Sequence, residues 1–179
     1  MQELQKTLDI KQLVFLDECG VNLALTRLYG WGERHVRVDD YVPDARFERS
    51  SILSAVRLSG VNASVSFRGV LNGDIFALYV RYVLAPTLNA GDVVLLDSLS
   101  SHKVKGALDP IYEGGAFVWF LPVYSPDLNP IELMWSKVKA ILRQLKARSW
   151  EDLQKALEAA LAAITLDDIS GWFKHDGYI

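Results

Sequence analysis

The chain has 179 residues, half of them hydrophobic and 23% charged, which suits one domain, 1–179, with a substantial buried core. No apolar run approaches the ~20 residues needed to cross a bilayer, and the N-terminal MQELQKTLDIKQ lacks an apolar signal core, so a cytoplasmic setting without membrane association is expected. A single cysteine, Cys19, excludes an internal disulfide and a cysteine-based zinc site, and the net charge of −3 argues mildly against nucleic acid, although a local basic stripe is compatible with an acidic total.

In chain order, LVFL at 13–16 is short, apolar and bounded by polar residues, which predicts a buried strand. Residues 35–42 alternate and predict a half-buried strand; 51–58 and 61–67 do the same on either side of Ser59-Gly60, a hairpin pattern. Ile75, Leu78, Tyr79, Tyr82 and Val83 have helical spacing, with Asn72 as N-cap and Pro86 as the stop. VVLL at 93–96 predicts a second buried strand, 101–112 a helix interrupted by Gly106 and Pro110, and FVWFL at 117–121 a third strand. From Pro130 onward Ile131, Trp135, Val138, Ile141, Leu142 and Leu145 form one apolar stripe. Helices over 150–164, carrying Leu153, Leu157 and Leu161, and over 166–173 close the chain. This order predicts an α/β fold, a sheet covered by helices.

The phrases LVFLD and VVLLD each set an aspartate, Asp17 and Asp97, directly after four apolar residues. If those strands are parallel neighbours, both carboxylates emerge at one sheet edge, where open α/β folds place their sites. Taken singly, each Asp fits a turn or a helix cap better than a site; the repeated design shifts the balance towards a site. Clustered carboxylates repel and call for a cation, and an all-oxygen set suits Mg²⁺ or Mn²⁺, two such ions serving phosphoryl transfer. Glu132 is the candidate third ligand. In YSPDLNPIELMW, Asn129 fits the N-cap, Pro130 the first helical position and Glu132 N3. With Asn129 capping, Glu132 is expected to face Asp17 and Asp97.

Asp17 in FLDECG, Asp97 in VVLLDSLSSHK and Glu132 in FLPVYSPDLNPIELMW, with 34 residues between Asp97 and Glu132, resemble the acidic triad of DDE transposases of the mariner superfamily, in particular its bacterial insertion-sequence branch. RLYGWGER, GDVVLLD and GWFKHDGY are also similar to family phrases, so the likeness extends over residues 13–178. Ser98 stands where the family usually has Asn. The resemblance implies a ribonuclease H-like fold, a mixed central sheet flanked by helices. It also implies cut-and-paste transposition with two Mg²⁺ or Mn²⁺ ions held by Asp17, Asp97 and Glu132. The DNA partners would be the element's terminal inverted repeats and a TA-containing target, bound by a homodimer in the bacterial nucleoid. The helix-turn-helix region usual at the family's N-terminus is absent from this chain, so a separate N-terminal reading-frame product is an expected partner.

Glu132, Ser136, Lys139, Arg143 and Lys146 share one helix face, a track for DNA phosphates or simply a solvated face. His102 and Lys103 are candidate phosphate contacts or an exposed helix start. Glu18 is expected on the strand face opposite Asp17, Trp31 in a hairpin turn, and Trp119, Trp135 and Trp150 in the core. His35 and His175 have no assigned role. Two rival readings are another ribonuclease H-like nuclease and an inactive remnant that persists as a folded or oligomer-forming module.

Overall fold

The apolar runs at 13–16 and 93–96 lie side by side near the middle of a five-stranded mixed sheet of order β3-β2-β1-β4-β5. The computed structural model describes residues 9–27, 29–44, 47–97, 104–122 and 125–179. Strand β1 is Leu13–Val21, β2 Ser50–Arg57, β3 Gly60–Arg68, β4 Val93–Leu96 and β5 Phe117–Phe120. β1 runs antiparallel to β2 and parallel to β4, which is parallel to β5. β2 and β3 form the expected hairpin.

Both faces of the central strands are covered, which is why their sequences show no polar alternation. Leu13, Phe15, Val93 and Leu95 pack on one face with helix α3, Pro130–Leu145, helix α4, Trp150–Ala162, and helix α5, Leu166–His175. Val14, Leu16, Val94 and Leu96 pack on the other with Phe76, Tyr79, Val80, Leu84 and Ile111. Those come from helix α1, Gly73–Tyr79, the π-turn that continues it, and the short helix α2, Asp109–Glu113.

Four expectations change: β2, expected half-buried, is buried from Ser50 to Val56. The segment 35–42 is irregular, with Val36, Val38 and Val42 exposed. The sheet of the described residues has five strands and takes none from this segment. The apolar stripe of α1 is Phe76, Tyr79, Val80 and Leu84, while Leu78 and Tyr82 are exposed. The wider π-turn Val80–Leu84 advances fewer degrees per residue than an α-helix and so rotates the stripe away from regular spacing. Asn72 caps α1 as expected, its Oδ1 accepting from the Ile75 amide at 2.9 Å. The helix expected over 101–112 is reduced to α2, with residues 101–103 outside the described part. Gly106, at φ 78°, and the turn around it end any helix before Asp109.

Candidate active site

The β1–β4 ladder is in register Leu13↔Val93, Val14↔Val94, Phe15↔Leu95. Two residues further on, the same offset sets Asp17 beside Asp97. Side chains alternate along a strand, so 13, 15 and 17 share a face with 93, 95 and 97, the face covered by α3. Asp97 follows directly on the end of β4, as expected. Asp17, expected at a strand end, is instead the middle residue of β1. β2 remains paired with it from Phe15↔Val56 to Val21↔Ser50, so the strand runs four residues beyond the aspartate. Asp17 thus has a ladder partner on the β2 side, Ser54, and none on the β4 side among the described residues.

Its carboxylate is buried, 8% exposed, and accepts a hydrogen bond from Trp135 Nε1 to Oδ2 at 3.1 Å. Its pKa is pushed up to about 7. Burial is the main cause, then the charge of Glu132; Asp97 adds to the rise, while hydrogen bonds from the Glu18 amide and Trp135 oppose it. The three acids therefore share one electrostatic field. Glu132 lies in the first turn of α3, solvent-exposed, its amide bonded to the Asn129 carbonyl at 2.9 Å. A carboxylate there is favoured by the helix dipole.

Asn129 does not cap that helix with its side chain, contrary to expectation. The working caps Asn72, Ser149 and Thr165 have ψ of 174°, 164° and 163°, whereas Asn129 has ψ 87°. The 3₁₀ turn Pro126–Leu128, closed by the Asn129 amide on the Pro126 carbonyl at 3.1 Å, holds it there. Its Oδ1 is buried and has no hydrogen-bond partner among the described residues.

The donor set of Asp17, Asp97 and Glu132 fits a hard divalent cation in chemistry: all oxygen, anionic, with one member driven towards neutrality by burial and by the others. Among the described residues, however, no three His, Cys, Asp or Glu side chains are gathered closely enough to hold a metal ion. The acids are neighbours in charge and stand apart as ligands.

Of the basic track, Lys139 acts on Cys19 of β1, whose thiol pKa it holds down against the effect of burial. Cys19 is pushed up to about 11 by burial, against Lys139 and with Asp17 and Glu132, so Lys139 lies in the field of the acids. Arg143, one turn on, is half-buried. Lys146 leaves the track: it sits in the left-handed region, φ 48°, at the end of α3 and pairs with Asp40. His102 and Lys103, like Ser98, lie outside the described residues. Glu18 is engaged elsewhere, by Arg49 Nη2 at 3.2 Å and Ser51 Oγ at 2.7 Å. Trp31 is fully exposed and packs in no hairpin; Trp135 is core, and Trp119 and Trp150 are half-buried. Trp135 was legible only as core. Its position three residues after Glu132, on the same helix face, is the signal that ties it to the site.

A family model described as "DDE superfamily endonuclease" matches residues 12–154. Among curated protein sequences none matches the chain. Among solved structures, the Mos1 transposase paired-end complex with left transposon end aligns with TM-score 0.74 at 17% identity, over 98% of this chain and 59% of that one. The Mos1 mariner paired-end complex with Mn gives 0.78 at 17%, over 99% and 56%. The catalytic domain of Mos1 mariner transposase gives 0.72 at 16%, over 99% and 83%. The chain thus spans less than two thirds of the full transposase chains and most of the isolated catalytic domain. The sheet and its flanking helices are the ribonuclease H-like fold expected from the sequence.

Proposed function

The chain belongs to the DDE superfamily endonucleases, and from that premise we propose that it is the catalytic domain of a transposase of the mariner superfamily, bacterial insertion-sequence branch. Its reaction is cleavage of DNA at the ends of a mobile element and joining of the freed 3′-hydroxyl to target DNA. The observation that carries this reading is Asp17: a buried carboxyl whose pKa is raised to about 7 by burial, by Glu132 and by Asp97. A buried carboxyl perturbed in this way by burial and by neighbouring acids is characteristic of a functional site.

Asp17, Asp97 and Glu132 would hold Mg²⁺ or Mn²⁺, two ions in the full site. The metal supplies activation of the attacking oxygen and charge stabilisation at the phosphorus. Asp17, which is in the field of both other acids, is oriented by the Trp135 indole. Lys139 and Arg143 face the DNA strand entering the site and neutralise its phosphates, with His102 and Lys103 as further phosphate contacts. Reading of the terminal repeats belongs to an N-terminal helix-turn-helix module, joined to this unit or supplied as a separate product, and a homodimer brings two ends together on a TA-containing target in the nucleoid.

The separation of the three acids favours one rival, an inactive remnant. A Mn²⁺-dependent cleavage and joining assay on DNA bearing the element's ends decides. The proposal expects cut and joined products, both lost in Glu132→Gln. Cutting without joining points to a simple nuclease, and absence of Mn²⁺ binding to the remnant.

A further inference from the structure

Helix α5 ends in a left-handed turn: Gly177 has φ 79°, its amide bonds the Lys174 carbonyl at 3.2 Å, and the Tyr178 amide bonds the Phe173 carbonyl at 2.8 Å. This paired closure is the Schellman motif, in which the residue after glycine packs back on the last helical turn. It brings Tyr178 against Phe173, ring centroids 6.0 Å apart, and both rings edge-on to Phe15, at 5.0 Å for Tyr178 and 5.3 Å for Phe173. Phe15 is fully buried, two residues before Asp17 on the same strand face. At its other end Tyr178 donates its hydroxyl to the Leu128 carbonyl at 2.8 Å, in the turn that launches α3. That turn lacks the side-chain cap present at the starts of α1, α4 and α5.

We propose that residues 173–178 form a strap that fixes the start of α3, and with it Glu132, against the strand carrying Asp17, with Tyr178 as the positioning residue. One side chain touches both the acid's strand and the glutamate's turn, two places 113 positions apart in sequence. The strap fastens from outside, through the Leu128 carbonyl, a turn whose helix Asn129 does not cap. The consequence for the metal rests on the catalytic reading given above; the fastening of the turn does not.

Tyr178→Phe keeps the ring and deletes the hydroxyl. Hydrogen exchange should then rise about tenfold at the Leu128, Asn129 and Glu132 amides, as expected for one lost hydrogen bond, while Val138 and Leu142 in the body of α3 stay unchanged. Mn²⁺ affinity, read by electron paramagnetic resonance, should fall about tenfold, the usual effect of a lost supporting contact, and the same substitution in a Glu132→Gln background should change it no further. Uniform exchange changes, or none at the turn, overturn the strap. A local exchange change with unaltered Mn²⁺ affinity, or an equal loss of affinity in both backgrounds, overturns the positioning of Glu132. If Glu132→Gln alone leaves Mn²⁺ binding intact, the catalytic reading falls, and the strap is decided by exchange.

Discussion

Asp17→Asn should stabilise the metal-free domain at pH 8. The wild-type carboxyl has its pKa raised from 3.8 to about 7 in the fold. The folded state therefore holds the proton more tightly than the unfolded chain, and stability is greatest below about pH 4, declines up to about pH 7 and is then level. At 1.36 kcal/mol per unit, a rise of about 3 units corresponds to roughly 4 kcal/mol of destabilisation at pH 8, the ceiling on what the amide can restore. Asparagine retains an oxygen to accept from Trp135 Nε1, so the packing there is kept. For a chain of this length the gain corresponds to roughly 10 °C in Tm. Urea unfolding in EDTA at several pH values between 4 and 8 measures it: the two proteins should converge at the acid end and diverge as pH rises. Mn²⁺ should then stabilise the wild type and leave the variant nearly unchanged. An Asp17→Asn protein no more stable than wild type at pH 8, or a gap independent of pH, would refute the argument that burial and the neighbouring acids raise the Asp17 carboxyl.

Trp135→Phe removes the indole donor from the buried Asp17 oxygen; a loss of about 2–3 kcal/mol is expected at pH 8 and less at pH 5, where the carboxyl is protonated, by the same unfolding series. Arg57→Ala strips the ion-pair partner from Asp92, buried and bonded at 2.7 Å, and should cost about 3 kcal/mol at pH 8, read by urea midpoint. Lys139→Ala should lower the slope of log affinity against log salt for DNA by about 1, measured by fluorescence anisotropy, and an unchanged slope removes Lys139 from the phosphate track.

The central strands were legible because both faces are buried: Leu13 to Leu16 and Val93 to Leu96 offer no polar position, and the structure begins β1 and β4 where those runs begin. Where β1 ends was not legible, since that depends on β2 staying paired as far as Val21, a long-range fact with no local signature. Asn72 announced its cap and Asn129 misled for the same reason: capping needs the extended ψ that a preceding 3₁₀ turn withholds from Asn129. The shifted stripe of α1 reflects a π-turn, which a regular helical period cannot represent. Of the site, the strand-end pattern and the helix start located the acids. The aromatic contacts behind them were hidden, because Phe15 and Trp135 read in sequence only as core, and Phe173 and Tyr178 only as part of a terminal helix and a family-like phrase.

The two apolar layers divide the molecule's tolerance for change. Each central strand speaks to one layer with its odd-numbered residues and to the other with its even ones, and the register sets Asp17 and Asp97 on the odd side with α3. A volume change at Phe15 or Leu95 is therefore felt next door by an acid, whereas one at Val14 or Leu96 is absorbed by α1, the π-turn and α2. Sequence drift should follow that parity, strict on one side of the sheet and permissive on the other, so that the second layer can be remodelled while the spacing of the acids is preserved.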